Sequence, residues 1–155
     1  MRIAARLAGK SYAGVLLCAI DMSVARLLLA VLAGGFASSM TDWFFNADWL
    51  YKRYDRHPEI WRFSGQGESK AVMWASLLPL LTCAAFAVAC RWLHLHSLSG
   101  TLKMAMLVWL MAPLPLTIAN ALFVKVSPAI AVSHALSWLV KLALAAIAVS
   151  VIAGS

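Results

Sequence analysis

Charge is the scarcest feature of this chain: only 12% of its 155 residues are Asp, Glu, Lys or Arg, and just six are acidic. A soluble domain carries about twice that share. With 63% of the residues hydrophobic, a water-soluble globule of this length cannot cover its apolar surface and is excluded. Disorder requires low hydrophobicity and high charge, so it goes too. Cysteine is nearly absent. Cys18, Cys83 and Cys90 are odd in number and sit inside apolar runs, so they read as small buried thiols and not as a disulfide framework. The chain also lacks a Gly-rich phosphate loop, a Gly-x-Ser-x-Gly elbow, a His-Glu-x-x-His pair and any internal repeat. The usual signatures of nucleotide binding, serine hydrolysis and zinc peptidases are therefore missing. No pattern calls for a cofactor.

What is present is apolar and long. Ala71 to Cys90 holds no charge between Lys70 and Arg91, and Met104 to Val124 none between Lys103 and Lys125. About 20 helical residues cross about 30 Å of hydrocarbon, and the alternation of a barrel strand is missing. A third span runs from Pro128 to about Ala153, with Ser127 as N-cap and proline in the first turn. A fourth, Leu27 to Phe45, ends in an aromatic cluster of Trp43, Phe44 and Phe45 suited to the interface. The expectation is all-α: an integral membrane four-helix bundle with spans at about 27–45, 71–90, 104–124 and 128–153 and both termini on one side. Pro79, Pro113 and Pro115 fall inside spans and are expected to kink them.

The net charge of +7 would suggest nucleic acid in a soluble chain. Here lysines and arginines flank apolar runs, where headgroups lie, and no basic stripe offers itself to phosphates along a duplex. Membrane lipids are the expected partners, with a second copy or a larger membrane complex beside them, and nucleic acid is not. Six basic residues fall on the side of the termini (A) and six on the other (B), so the charge count leaves orientation open.

Outside the spans, residues 1–26 read as a peripheral interfacial helix, as sequence ahead of a true start at Met22, or as a signal peptide ending near Ala37. Residues 46–70 read as an interfacial loop or helix, with Leu50, Tyr51 and Tyr54 on one side and Lys52, Arg53 and Arg56 on the other. It is either a collar at the membrane surface or a lid over a site.

The polar residues within spans carry the functional question, because intramembrane ionisable groups are expensive and face inward. In the last span Ser127, Ile130, His134, Ser137, Trp138, Lys141, Ala145 and Ala148 share a stripe. Val132, Leu136, Leu139, Val140 and Ile147 lie opposite, toward lipid. In the first, Gly35, Ser38, Ser39 and Asp42 share a face, with Gly35-x-x-x-Ser39 permitting close approach. In the third, Trp109, Pro113, Thr117 and Asn120 align. Depth arithmetic places Asp42, Asn120 and His134 together near B, and Lys141 about 10 Å deeper. No acidic residue is expected at the depth of Lys141, which must then be neutral, hydrated, or paired with a ligand or another chain. Lys141→Leu should accordingly leave folding intact while abolishing any activity.

Asp42 and His134 are thus the candidate catalytic pair, and Lys141, Asn120, Trp138 and Ser137 the candidate ligand or proton site. Cys90, His94 and His96, within seven positions, are weak metal candidates without a fourth ligand.

Two segments, GGFASSMTDWFFNADW and AVSHALSWLVKLALAAIAVSVIAG, resemble a family of small uncharacterised four-span bacterial membrane proteins described only as a domain of unknown function. The resemblance implies a four-helix fold in the inner membrane and no activity, and it places neither Asp42 nor Lys141. Three functions follow from the residues. The first is a non-catalytic accessory or oligomeric bundle. The second is a small proton-linked transporter centred on Lys141 and His134. The third is an enzyme acting on a lipid or quinone-like substrate through Asp42 and His134. Transport predicts a dimer with Lys141 near its axis, and an enzyme predicts a lipid-sized cleft beside Asp42.

Overall fold

The computed structural model describes residues 24–45, 68–124 and 127–154. The readings made for residues 1–23 and for most of the loop 46–70 lie outside them. Among the described residues four helical runs are long and apolar enough to cross a membrane: Val24–Phe45, Ser69–Trp92, Leu98–Phe123 and Pro128–Ala153. We label the elements α1 (Val24–Phe45), α2 (Glu68–Trp92), α3 (Leu98–Met111), α4 (Pro113–Phe123) and α5 (Pro128–Ala148). The chain is an all-α four-helix bundle whose third span is α3 followed by α4.

The start of α3 differs from the expectation by six residues. Lys103 looked like a span boundary, but Ser97 caps the helix by accepting the Gly100 N–H at 3.1 Å. A hydroxyl that satisfies a first-turn donor starts a helix whatever follows. Lys103 is exposed on its outer face, where a long stem lets the ammonium reach headgroups.

The prolines act in two ways. Pro113 ends α3: Ala112 takes φ −131° and ψ −66°, and the helix resumes with the Leu116 N–H on the Ala112 carbonyl at 3.1 Å. Pro79 instead lies inside an unbroken α2. It cannot donate to the Ala75 carbonyl. Next to that point the Ser39 hydroxyl of α1 donates to the Ser76 carbonyl at 3.3 Å, the kind of neighbouring support that lets a proline persist in a membrane helix.

The helix α5 is central, packing against α2, α3 and α4 and, through Gly34 and Ser38, against α1. The core is Ala30, Cys83, Phe86, Ala87, Cys90, Ala105, Leu142, Ala145, Ala146 and Val149. Half of these are alanine, so backbones approach closely and dispersion replaces a hydrophobic drive that lipid cannot supply. Gly35 marks the tightest point, since a Cβ there would lie 3.1 Å from the Leu80 Cα and collide with the Leu80 side chain. The small-residue spacing read in α1 is therefore a real contact with α2.

The lipid-facing side of α5 is largely as read: Val132, Leu136, Val140 and Ile147 are exposed. Leu139 is half-buried, because helices on either side of α5 narrow its outward strip. Past Ala148 the helix widens into π geometry over Val149–Ala153 and closes with the Gly154 N–H on the Val149 carbonyl at 3.0 Å.

Candidate functional site

Lys141 points inward and is 9% exposed, as an ammonium at membrane depth requires. The structure departs from the sequence reading in supplying its partner. Lys141 Nζ lies 2.9 Å from Asp42 Oδ1 and donates to Oδ2 at 3.1 Å. The Ser137 hydroxyl donates to Oδ1 at 3.1 Å. The ammonium also sits 4.1 Å from the centre of the Trp138 ring, close enough for a cation–π contact.

The missed pairing has a geometric cause. The depth estimate put the ends of α1 and the start of α5 at one level. Instead, Gly34 faces Ala145 and Ala148, and Ser38 Oγ makes a long 3.5 Å contact with the Lys141 carbonyl. Eight residues separate Gly34 from Asp42, about 12 Å of rise, which brings Asp42 level with Trp138. Side chains on a helix lean toward its own N-terminus, and α1 and α5 run antiparallel. Asp42 therefore leans deeper and Lys141 leans up, so the two meet between their Cα positions. Ser38, 3.7 Å from Cys83 Sγ, marks the junction of α1, α2 and α5.

The other predicted residues divide. Ser137 and Trp138 join the pair directly. His134, half-buried one turn nearer the start of α5, lies within electrostatic reach of both Lys141 and Asp42. It makes no hydrogen bond or ring contact among the described residues. Asn120 does not join them. It is exposed in the last turn of α4, eleven residues beyond the Trp109–Ala135 contact and so above the level of Asp42, although Trp109, Pro113 and Thr117 of the same stripe are buried or half-buried. Among the described residues no three metal-binding side chains come together. Cys90 is wholly buried in the core, whereas His94 and His96 are exposed. The turn that separates them is a helix C-terminal motif. The Leu95 N–H bonds the Cys90 carbonyl at 2.9 Å and the His94 N–H the Arg91 carbonyl at 3.2 Å, with His94 left-handed at φ 53°.

Sequence reasoning overlooked Thr101, which is fully buried and donates to the Ala146 carbonyl at 3.1 Å, tying α3 to α5. The Ser97-x-x-Gly100 cap was the available signal, since it places Thr101 in a helix and not in a loop. The inward face given to Trp109 is fulfilled by an indole N–H donating to the Ala135 carbonyl at 2.8 Å. Among the described residues every buried side-chain nitrogen and oxygen has a partner.

The arrangement defines a multi-pass membrane bundle in which, among the described residues, Asp42 and Lys141 form a partly buried, internally compensated charge pair. Comparison with protein-family models, curated proteins and solved structures finds no match.

Proposed function

We propose that this is a non-catalytic membrane protein, an accessory or oligomeric bundle, whose polar cluster joins helices and does not process a substrate. The observation that carries the reading is the Asp42–Lys141 contact at 2.9 Å. A lysine awaiting a ligand would be an unpaired cation, whereas this one is neutralised within its own chain and further held by Trp138. Burying such a pair gives little net stability, but leaving one member alone is costly, so the pair selects the pairing of α1 with α5. A bacterial inner-membrane location belongs to this proposal and rests on the family resemblance of the first and last spans.

The test is complementation of a deletion strain by the Asp42→Leu/Lys141→Leu double variant, with membrane insertion and detergent stability measured in parallel. The expected result is a stably inserted protein that restores the wild-type phenotype. A stably inserted protein that fails to restore it would show that the charges do chemistry.

One observation favours a second reading. His134 is an imidazole at membrane depth without a hydrogen-bond partner among the described residues, and such groups mark proton paths by default. As a proton-linked carrier, the chain in vesicles would carry a proton-driven flux that His134→Gln removes. Vesicles with no such flux would dispose of this reading.

A further inference from the structure

At the A end the bundle presents a second cluster of polar side chains, unrelated to the charge pair. Arg91, Trp92, His94 and His96 line an open hollow of about 500 Å³ in the turn between α2 and α3. The turn has a fixed shape. It is closed by the two backbone bonds onto Cys90 and Arg91, and it holds His94 in a left-handed conformation that places both histidines on its outer side. Their ring centroids are 6.5 Å apart, a spacing at which both rings reach one phosphate group when each N–H···O contact spans about 2.8 Å. Neither imidazole has a hydrogen-bond partner among the described residues. Arg91 has a contact of its own, but a guanidinium carries five donors and leaves others for a ligand.

Position and charge indicate which phosphate this is. The turn joins two membrane-spanning helices, so it sits at a bilayer surface. Trp92, Leu93 and Leu98 are 78%, 57% and 47% exposed, an apolar rim that settles into the interfacial layer. This end also carries Arg26 and Lys103. The described acidic residues, Asp42 and Glu68, both belong to the other half of the molecule. An aqueous phosphate would have to enter among those apolar side chains, whereas a lipid phosphate already lies at that level.

We propose that the α2–α3 turn is a binding site for the phosphate of an anionic phospholipid, held by Arg91, His94 and His96 beside Trp92. The site selects lipids of net negative charge, because Arg26, Arg91 and Lys103 bring three formal positive charges to this end of the bundle, where anionic headgroups are attracted.

The experiment is titration of the detergent-purified full chain with phosphatidylglycerol or phosphatidylcholine, read by native mass spectrometry and by thermal unfolding. The expected wild-type result is about tenfold preference for phosphatidylglycerol, the size of one charge-assisted contact. The variant Arg91→Gln/His94→Asn/His96→Gln should lose that preference, with asparagine keeping the left-handed turn at position 94. His96→Gln alone, on an exposed side chain, should lose part of it and serves if the triple variant misfolds. Lys70→Gln, at the opposite end, should keep it. Inorganic phosphate at matching concentration should give no stabilisation. Retention of the full preference by both hollow variants would overturn the proposal, and equal protection by inorganic phosphate would overturn the lipid assignment.

Discussion

The two halves of α5 hold the bundle by different means. From Ile130 to Lys141 it offers hydroxyls, an imidazole, an indole and an ammonium, and its contacts are specific pairs: Ser137 and Lys141 with Asp42, and the Ala135 carbonyl with Trp109. From Leu142 to Val149 it offers Ala145, Ala146 and other apolar side chains to Ala87, Cys90 and Ala105, with Thr101 contributing one hydrogen bond. The difference teaches where each kind of error is tolerated. In the polar half, the identity of the partner decides the outcome and a small volume change matters less. In the small-residue half, any apolar residue satisfies the chemistry and volume decides.

Single neutralisation in the polar half should break this scheme most severely. Lys141→Leu takes the ammonium away from the Asp42 carboxylate, and Asp42→Leu strands the ammonium. Each is expected to lower stability by about 3–5 kcal/mol, measured by unfolding in mixed micelles. The pairing thus reverses the expectation drawn from the sequence, in which Lys141→Leu was harmless to folding. Next comes Gly35→Leu, which forces a large side chain into the contact with Leu80 and should cost about 1–3 kcal/mol by overpacking. Its effect sharpens the contrast, because the substitution is purely apolar and would be neutral on the exposed side of α1. The smallest effect belongs to Trp109→Phe, which keeps the aromatic bulk and removes only the donor to Ala135. A loss of about 0.6–1.7 kcal/mol is expected on the same unfolding curve, in keeping with single interhelical hydrogen bonds in membranes.

Much of this was legible from residue spacing. The last helix announced its inward stripe through His134, Ser137, Trp138 and Lys141, and the first through Gly35, Ser38 and Asp42, because a polar group cannot face acyl chains cheaply. What spacing could not convey was register between helices. Phase around an axis is local and repeats every 3.6 residues, but relative height depends on where two helices first lock, here at Gly34 against Ala145 and Ala148. That single offset made Asp42 the partner of Lys141 and removed Asn120 from the group. Two smaller misreadings had local causes. Lys103 hid a helix start that Ser97 sets, and Cys90 seemed close to His94 and His96 because sequence distance says nothing of a turn that points them apart.

The central claim is that this chain supplies its own counter-ion to the lysine buried in its last helix. The most direct test is a double-mutant cycle on Asp42 and Lys141, with Asp42→Leu, Lys141→Leu and the double variant unfolded under identical micellar conditions. The double variant should be about as stable as wild type, giving a coupling energy of about 3 kcal/mol or more. Two single losses that simply add in the double variant would contradict the account, since each charge would then be stabilised by something other than its partner.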